Sequence, residues 1–179
     1  MSAQAGAARA VIGLGSNLRP RAALAAALAR LAGTLDSLIW STTWSSPCQA
    51  DSPRPYWNLV AVGTTPVGRD RLERQLDDIE TALGRRRGAL AGGEVAIDLD
   101  LLLLDDGPGT APRYVRPAAA LLEPAHVRVP LAELLPGWRH PDATATLDEL
   151  AQRLPADELT LVAARDFAWL DAAAVEAPA

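Results

Sequence analysis

The chain has one cysteine, Cys48, among 179 residues. An internal disulfide framework is therefore excluded, and a reducing, cytoplasmic setting is expected. No apolar run approaches the roughly 20 residues needed to cross a bilayer, so no membrane partner is expected. The opening MSAQAGAARA lacks a charged segment followed by an apolar core, so no signal peptide is expected. Basic charge is also in short supply: 17 basic residues face 22 acidic ones, a net charge of -5. That balance argues against nucleic acid as a partner. Internal repeats and low-complexity linkers are absent as well. What remains is 49% hydrophobic and 22% charged, the balance of an ordinary globular chain. One domain over 1–179 is expected, with a frayed tail from about residue 170.

Periodicity orders the chain. ARAVIGLG (8–15) reads as a buried strand, and 21–31 carries apolar residues at helical spacing. LDSLIWSTTW (35–44) and YWNLVAVGTT (56–65) read as strands. Residues 69–83 form a helix with Leu72, Leu76, Ile79 and Leu83 on one stripe and Gly84 as its C-terminal stop. A last strand covers 96–104. Beyond it, 117–137 has short helical patterns broken by prolines, followed by a short helix at 147–154. The order β-α-β-β-α-β predicts an α+β, ferredoxin-like core. Its sheet should be mainly antiparallel with helices on one face, followed by a C-terminal helical appendix. Trp40, Trp44 and Trp57 are expected mostly in the core, and His140 in a turn. Two long loops, 45–55 and 85–95, are candidates for function.

The last strand reads AIDLDLLLL (96–104). Alternation puts Asp98 and Asp100 on one face and Leu99, Leu101 and Leu103 on the other. Two carboxylates side by side repel unless something positive sits between them. Mg2+ prefers hard oxygen ligands of this kind, often one or two carboxylates plus phosphate oxygens. A solvated strand face explains the same spacing without a metal.

Four stretches carry a resemblance: GLGSNL (13–18), P-Y-W-N (55–58), I-E-x-x-L-G-R (79–85) and I-D-L-D (97–100). In this order they resemble the 6-hydroxymethyl-7,8-dihydropterin pyrophosphokinases of folate biosynthesis, over about residues 11–154. The resemblance implies a ferredoxin-like fold and transfer of pyrophosphate from ATP to a small-molecule substrate. It implies two Mg2+ ions at Asp98 and Asp100. Asn58 matches the asparagine that reads the pterin edge, and Tyr56 an aromatic neighbour. Ser46 and Pro47 match loop positions that contact the pterin through backbone. Glu80 and Arg85 match the acid at the helix end and an arginine near the phosphates. It says nothing of oligomeric state.

The chain departs from the family where ATP is handled. The family's W-G-P-R-T before I-D-L-D is here Gly92, Gly93, Glu94, Val95 and Ala96. A valine cannot replace a guanidinium fork. The family's P-H-P-R histidine is Ala118, two further arginines are Ala120 and Pro124, and the phenylalanine stacked on the pterin is His126. Glu94 sets a negative charge beside the expected phosphates. Three readings stand: an authentic pyrophosphokinase, a non-catalytic binder, and a repurposed enzyme doing ATP-independent acid–base chemistry on a flat polycyclic intermediate. The departures favour the last. It would employ Asp98, Asp100, Arg85, Glu94 and His126, with weak or absent ATP binding.

Overall fold

The computed structural model describes residues 6–47, 54–85, 93–106, 111–153 and 159–163. Arg86, Arg87, Gly92 and the expected frayed tail lie outside them, as do parts of both long loops. Strand β1 (Ala8–Ser16) runs through the centre of a wholly antiparallel sheet. It pairs on one side with β4 (Tyr56–Thr65) and on the other with β5 (Asp98–Asp105). Helix α1 (Pro20–Leu31) follows β1, and α2 (Arg69–Ala82) follows β4. Both lie on one face, where Leu24, Leu28, Leu72 and Leu76 pack on Ile12, Leu14, Leu99 and Leu101. This is the expected α+β, ferredoxin-like core. Ile12, Leu28, Val60, Leu76, Ile79, Leu99 and Leu101 are all buried.

The end of α2 shows how local sequence sets the site. The Gly84 N–H donates to Thr81 O at 3.1 Å and the Arg85 N–H to Glu80 O at 2.9 Å. This pairing needs a left-handed residue, and Gly84 supplies it at φ 90°. The chain then turns back toward β5 with Arg85 beside it. At Gly63 the requirement is space instead: an added Cβ would lie 2.8 Å from the Leu35 Cβ.

Four features differ from the sequence expectation. The strand expected over 35–44 is two, β2 (Asp36–Trp40) and β3 (Thr43–Ser46), both paired with β4. Between them the Ser41 hydroxyl takes the Val60 N–H at 3.0 Å, a bond the ladder would otherwise have used. Two short strands were not foreseen: β6 (Tyr114–Val115) on the β5 edge and β7 (Thr160–Ala163) on the β3 edge. The appendix does not stand apart. Its helices α3 (Ala118–Leu122), α4 (Ala125–Leu134) and α5 (Leu147–Ala151) cover the second sheet face over Val11, Val60, Leu102 and Leu103. Leu103 therefore leaves the face predicted for it. A bulge causes this: Ile12 pairs with Leu101 and Val11 with Leu103, so Leu102 has no partner on β1.

Candidate functional site

Asp98 and Asp100 precede the bulge, so they keep the phase expected from the alternation. Register carries their rows across three strands. Asp98 pairs with Gly15 and Gly15 with Asn58; Asp100 pairs with Gly13 and Gly13 with Val60. With strands about 4.8 Å apart, Asp98 and Asn58 face each other over roughly 10 Å. The two glycines between them leave the floor without side chains. A cavity of ≈ 340 Å³ opens above it. Ser46, Pro47 and Tyr56 line one wall with Asn58, and His126 and Val127 of α4 line another.

The Asn58 amide is buried and oriented. Its Nδ2 donates to Ser46 Oγ at 2.9 Å and, more weakly, to Tyr56 O at 3.4 Å. The Oδ1 lies over Gly15, only 3.3 Å from where a Cβ there would stand. The wall thus offers an acceptor to the cavity. Opposite, burial holds the His126 imidazole below its ordinary pKa, so it is neutral at pH 7.

Each aspartate has its own guanidinium. Arg85 binds Asp98 and also reaches Glu80 Oε1 at 2.7 Å and Ile97 O at 3.2 Å. Glu80 is buried and accepts the Leu99 N–H at 2.6 Å. Burial pushes Glu80 above the ordinary glutamate range, against the pull of the Leu99 N–H and Arg85. Burial works to lower the Arg85 pKa, but the hydrogen bond and charge of Asp98, with Glu80, raise it overall. Asp100 is bound by Arg116, whose Nε also donates to Leu101 O at 3.3 Å. Burial raises the Asp100 pKa, and the Asp98 charge adds to this; Arg116 and Arg85 oppose it.

Arg116 is itself fixed. Its N–H donates to Leu102 O at 2.9 Å. Its carbonyl meets His140 Nε2 at 2.9 Å, while His140 Nδ1 accepts the Asp142 N–H at 3.0 Å. The second bond sets the tautomer, so Nε2 carries the proton and donates. His140 does open a turn, its carbonyl accepting the Ala143 N–H at 2.9 Å, and it is also buried, with both ring nitrogens engaged.

The segment at 93–96 is tied to the end of β1. Asn17 Nδ2 donates to Gly93 O at 3.0 Å, and Asn17 Oδ1 accepts the Val95 N–H at 2.6 Å. Ser16 Oγ donates to Ala96 O at 2.7 Å. Glu94 pairs with Arg54 at 2.9 Å, so its charge is offset rather than left facing a phosphate.

Of the residues singled out in the sequence, Ser46, Pro47, Tyr56, Asn58, Asp98, Asp100 and His126 come together around one cavity. Glu80 and Arg85 lie at the α2 end behind Asp98, and Glu94 stands apart on its loop; none of the three lines the cavity. Sequence reasoning missed Arg116, His140, and the Gly13–Asn17 segment as floor and clamp. The segment had a signal, since GLGSNL stood out as a motif. Arg116 had none, because its partner Asp100 is 16 residues away.

The 7,8-dihydro-6-hydroxymethylpterin-pyrophosphokinase (HPPK) family model matches residues 11–136. A 2-amino-4-hydroxy-6-hydroxymethyldihydropteridine pyrophosphokinase of Methylorubrum extorquens is 37% identical over 133 residues, 72% of this chain and 83% of that protein. One from Pseudomonas aeruginosa is 36% identical over 139 residues, 75% of this chain and 85% of that protein. Among solved structures, a triple-mutant HPPK-DHPS of Plasmodium falciparum with SDX-DHP aligns at TM-score 0.64 and 14% identity. It covers 85% of this chain but only 45% of that one, and the likeness establishes the fold alone. The two relatives correct the functional expectation. A repurposed, ATP-independent enzyme does not fit proteins this similar that are named pyrophosphokinases, and the doubt about ATP loses its ground. The chain belongs to the 7,8-dihydro-6-hydroxymethylpterin-pyrophosphokinase family.

Proposed function

We propose that the protein transfers a pyrophosphoryl group from ATP to the hydroxymethyl group of 6-hydroxymethyl-7,8-dihydropterin, a step of folate biosynthesis. The observation that carries this is the row Asp98–Gly15–Asn58: one floor with an amide acceptor at one end and paired carboxylates at the other. A flat ring lies over Gly13 and Gly15. Asn58 Oδ1 receives ring N–H donors, and Tyr56, Ser46 and Pro47 close that side. His126, a neutral flat ring, packs on the substrate.

The substrate's hydroxymethyl then points toward Asp98 and Asp100. Its oxygen attacks the β-phosphorus of ATP, and the bond from that phosphorus to the α,β-bridging oxygen breaks. AMP leaves, and the hydroxyl proton passes to solvent or a carboxylate. Asp98 and Asp100 suit a hard divalent cation, which would screen phosphate charge when bound. Among the described residues no cluster of three or more acids, histidines or cysteines surrounds them. The remaining oxygen donors would come from phosphate and water, as Mg2+ commonly takes them. Arg85 holds Asp98 in place and stands near the phosphates.

The protein acts as one domain over 1–179, on small molecules, in the cytoplasm. Among the described residues no helix is long and apolar enough to cross a membrane. The test is direct: purified protein with Mg2+, ATP and hydroxymethyldihydropterin should form the pterin diphosphate and AMP in equal amounts. Formation of ADP instead, or no product at ordinary enzymatic turnover, overturns the proposal.

A further inference from the structure

We infer that Arg116 is a phosphate-binding residue of this chain, released from Asp100 when a metal–nucleotide complex arrives. The inference rests on the proposed function and concerns how ATP is held despite the apolar residues at 95, 118, 120 and 124. All 17 basic residues of the chain are arginine, so no lysine can hold the phosphates and a basic side chain there is a guanidinium. Several of those described are engaged elsewhere: Arg9 with Asp105, Arg54 with Glu94, Arg113 with Asp106, and Arg128 with the carbonyls of Leu122 and Glu123. Among the described residues, only Arg85 and Arg116 touch the cavity aspartates.

Of these two, Arg85 is held by Glu80 as well as Asp98. Arg116 has one carboxylate partner and is 35% exposed. Its backbone is pinned at both N–H and carbonyl, so its position is fixed while its guanidinium can turn. Its two side-chain hydrogen bonds use Nε and Nη2, and among the described residues Nη1 makes none. Arg116 also directly precedes Pro117 and Ala118, the start of the stretch where the family's histidine and arginines are replaced.

Charge accounts for the exchange. Two carboxylates facing two guanidiniums are balanced, so a divalent cation alone must compete with Arg116 for Asp100. A triphosphate removes the competition by giving the guanidinium an anionic fork of its own. Mg2+ and nucleotide should therefore bind together better than Mg2+ binds alone. Removing Arg116 then has effects of opposite sign, which a purely structural role would not produce.

Titration calorimetry tests this, with Mg2+ alone and with Mg2+ plus α,β-methylene ATP, on wild-type protein, Arg116→Ala and Arg116→Lys. In Arg116→Ala, Mg2+ alone should bind more tightly. The nucleotide analogue should bind roughly ten- to a hundredfold more weakly, the loss of one charge-assisted contact. Hydroxymethylpterin affinity should not change. Arg116→Lys keeps the charge without the fork and should fall between, and it decides the matter if the alanine variant does not fold. Nucleotide affinity unchanged in both variants, or Mg2+ and nucleotide affinities falling together, overturns the inference, as does a wild-type protein that does not bind the analogue. Wild-type protein that binds it but transfers nothing to the pterin overturns the proposed function, while the Arg116 comparison is still decided by binding.

Discussion

Asn58→Ala tests the proposed recognition half of the cavity. Asn58 is 7% exposed, and both hydrogen bonds its side chain donates go to the protein, to Ser46 Oγ and Tyr56 O. Only Oδ1 remains for a ligand. Truncation removes that acceptor and leaves a ring N–H unpaired in a buried site, at about 1–3 kcal/mol. At 1.4 kcal/mol per decade this is roughly a 5- to 140-fold rise in Kd for hydroxymethylpterin. The internal loss is smaller. One good hydrogen bond disappears, at about 1 kcal/mol of stability, so the fold persists and affinity can be read separately. Asn58→Asp sharpens the test. A carboxylate keeps an acceptor over Gly15, and the Ser46 hydroxyl can turn to donate to it. The aspartate variant should therefore bind the pterin better than the alanine variant does. Fluorescence titration of the pterin gives the affinities, and urea unfolding gives the stability. Unchanged affinity in Asn58→Ala, or Asn58→Asp weaker than Asn58→Ala, would refute the placement of the ring edge at Oδ1.

Glu80→Ala should destabilise the protein by about 2–4 kcal/mol in urea unfolding, because the Leu99 N–H loses its acceptor and Arg85 a partner; Glu80→Gln, which keeps an acceptor, should cost less, and equal losses would contradict the bond to Leu99. Gly63→Ala should cost about 1–3 kcal/mol by the same measurement, since its methyl would meet the Leu35 Cβ at 2.8 Å and Asp36 O at 3.1 Å. Asp100 has a raised folded-state pKa, so the folded protein holds its proton more tightly than the unfolded chain does. Its contribution to stability is fully present below the ordinary aspartate pKa and is lost as pH rises through the raised value. Asp100→Asn should therefore raise the melting temperature of the ligand-free protein at pH 7 while weakening binding of Mg2+ with α,β-methylene ATP; a lower melting temperature would contradict it. The same shift implies that Mg2+ binding to wild-type protein weakens on acidification at a pH above that of an ordinary aspartate, which a calorimetric pH series would check.

The sequence made the core legible because each element carries its own period. The stripe Leu72, Leu76, Ile79 fixed α2, and the alternation around Asp98 and Asp100 fixed the strand phase that matters most. What it hid was set by partners far away in the chain. Ser41 splits the second strand because its hydroxyl reaches Val60, 19 residues on. Leu103 changes face because of a bulge that depends on the register with β1. Strands β6 and β7 are too short to show a period and exist because β5 and β3 offer open edges.

The functional misjudgement has the same origin. A guanidinium beside the carboxylates need not come from one place in the chain. Charge acts through space, and the residues that face Asp98 and Asp100 are chosen by the fold. Arg85 reaches Asp98 because Gly84 turns the chain at the end of α2. Arg116 reaches Asp100 because its backbone is tied to Leu102 and His140, just past β6. Two carboxylates thus share one face of an apolar strand, each held by a guanidinium from a different element. The same arrangement explains why the burial that raises the Asp100 pKa does not empty the site of charge. The aspartates face the cavity already paired, so under the inference above a metal arriving with its phosphates would exchange those partners without uncovering an isolated negative charge.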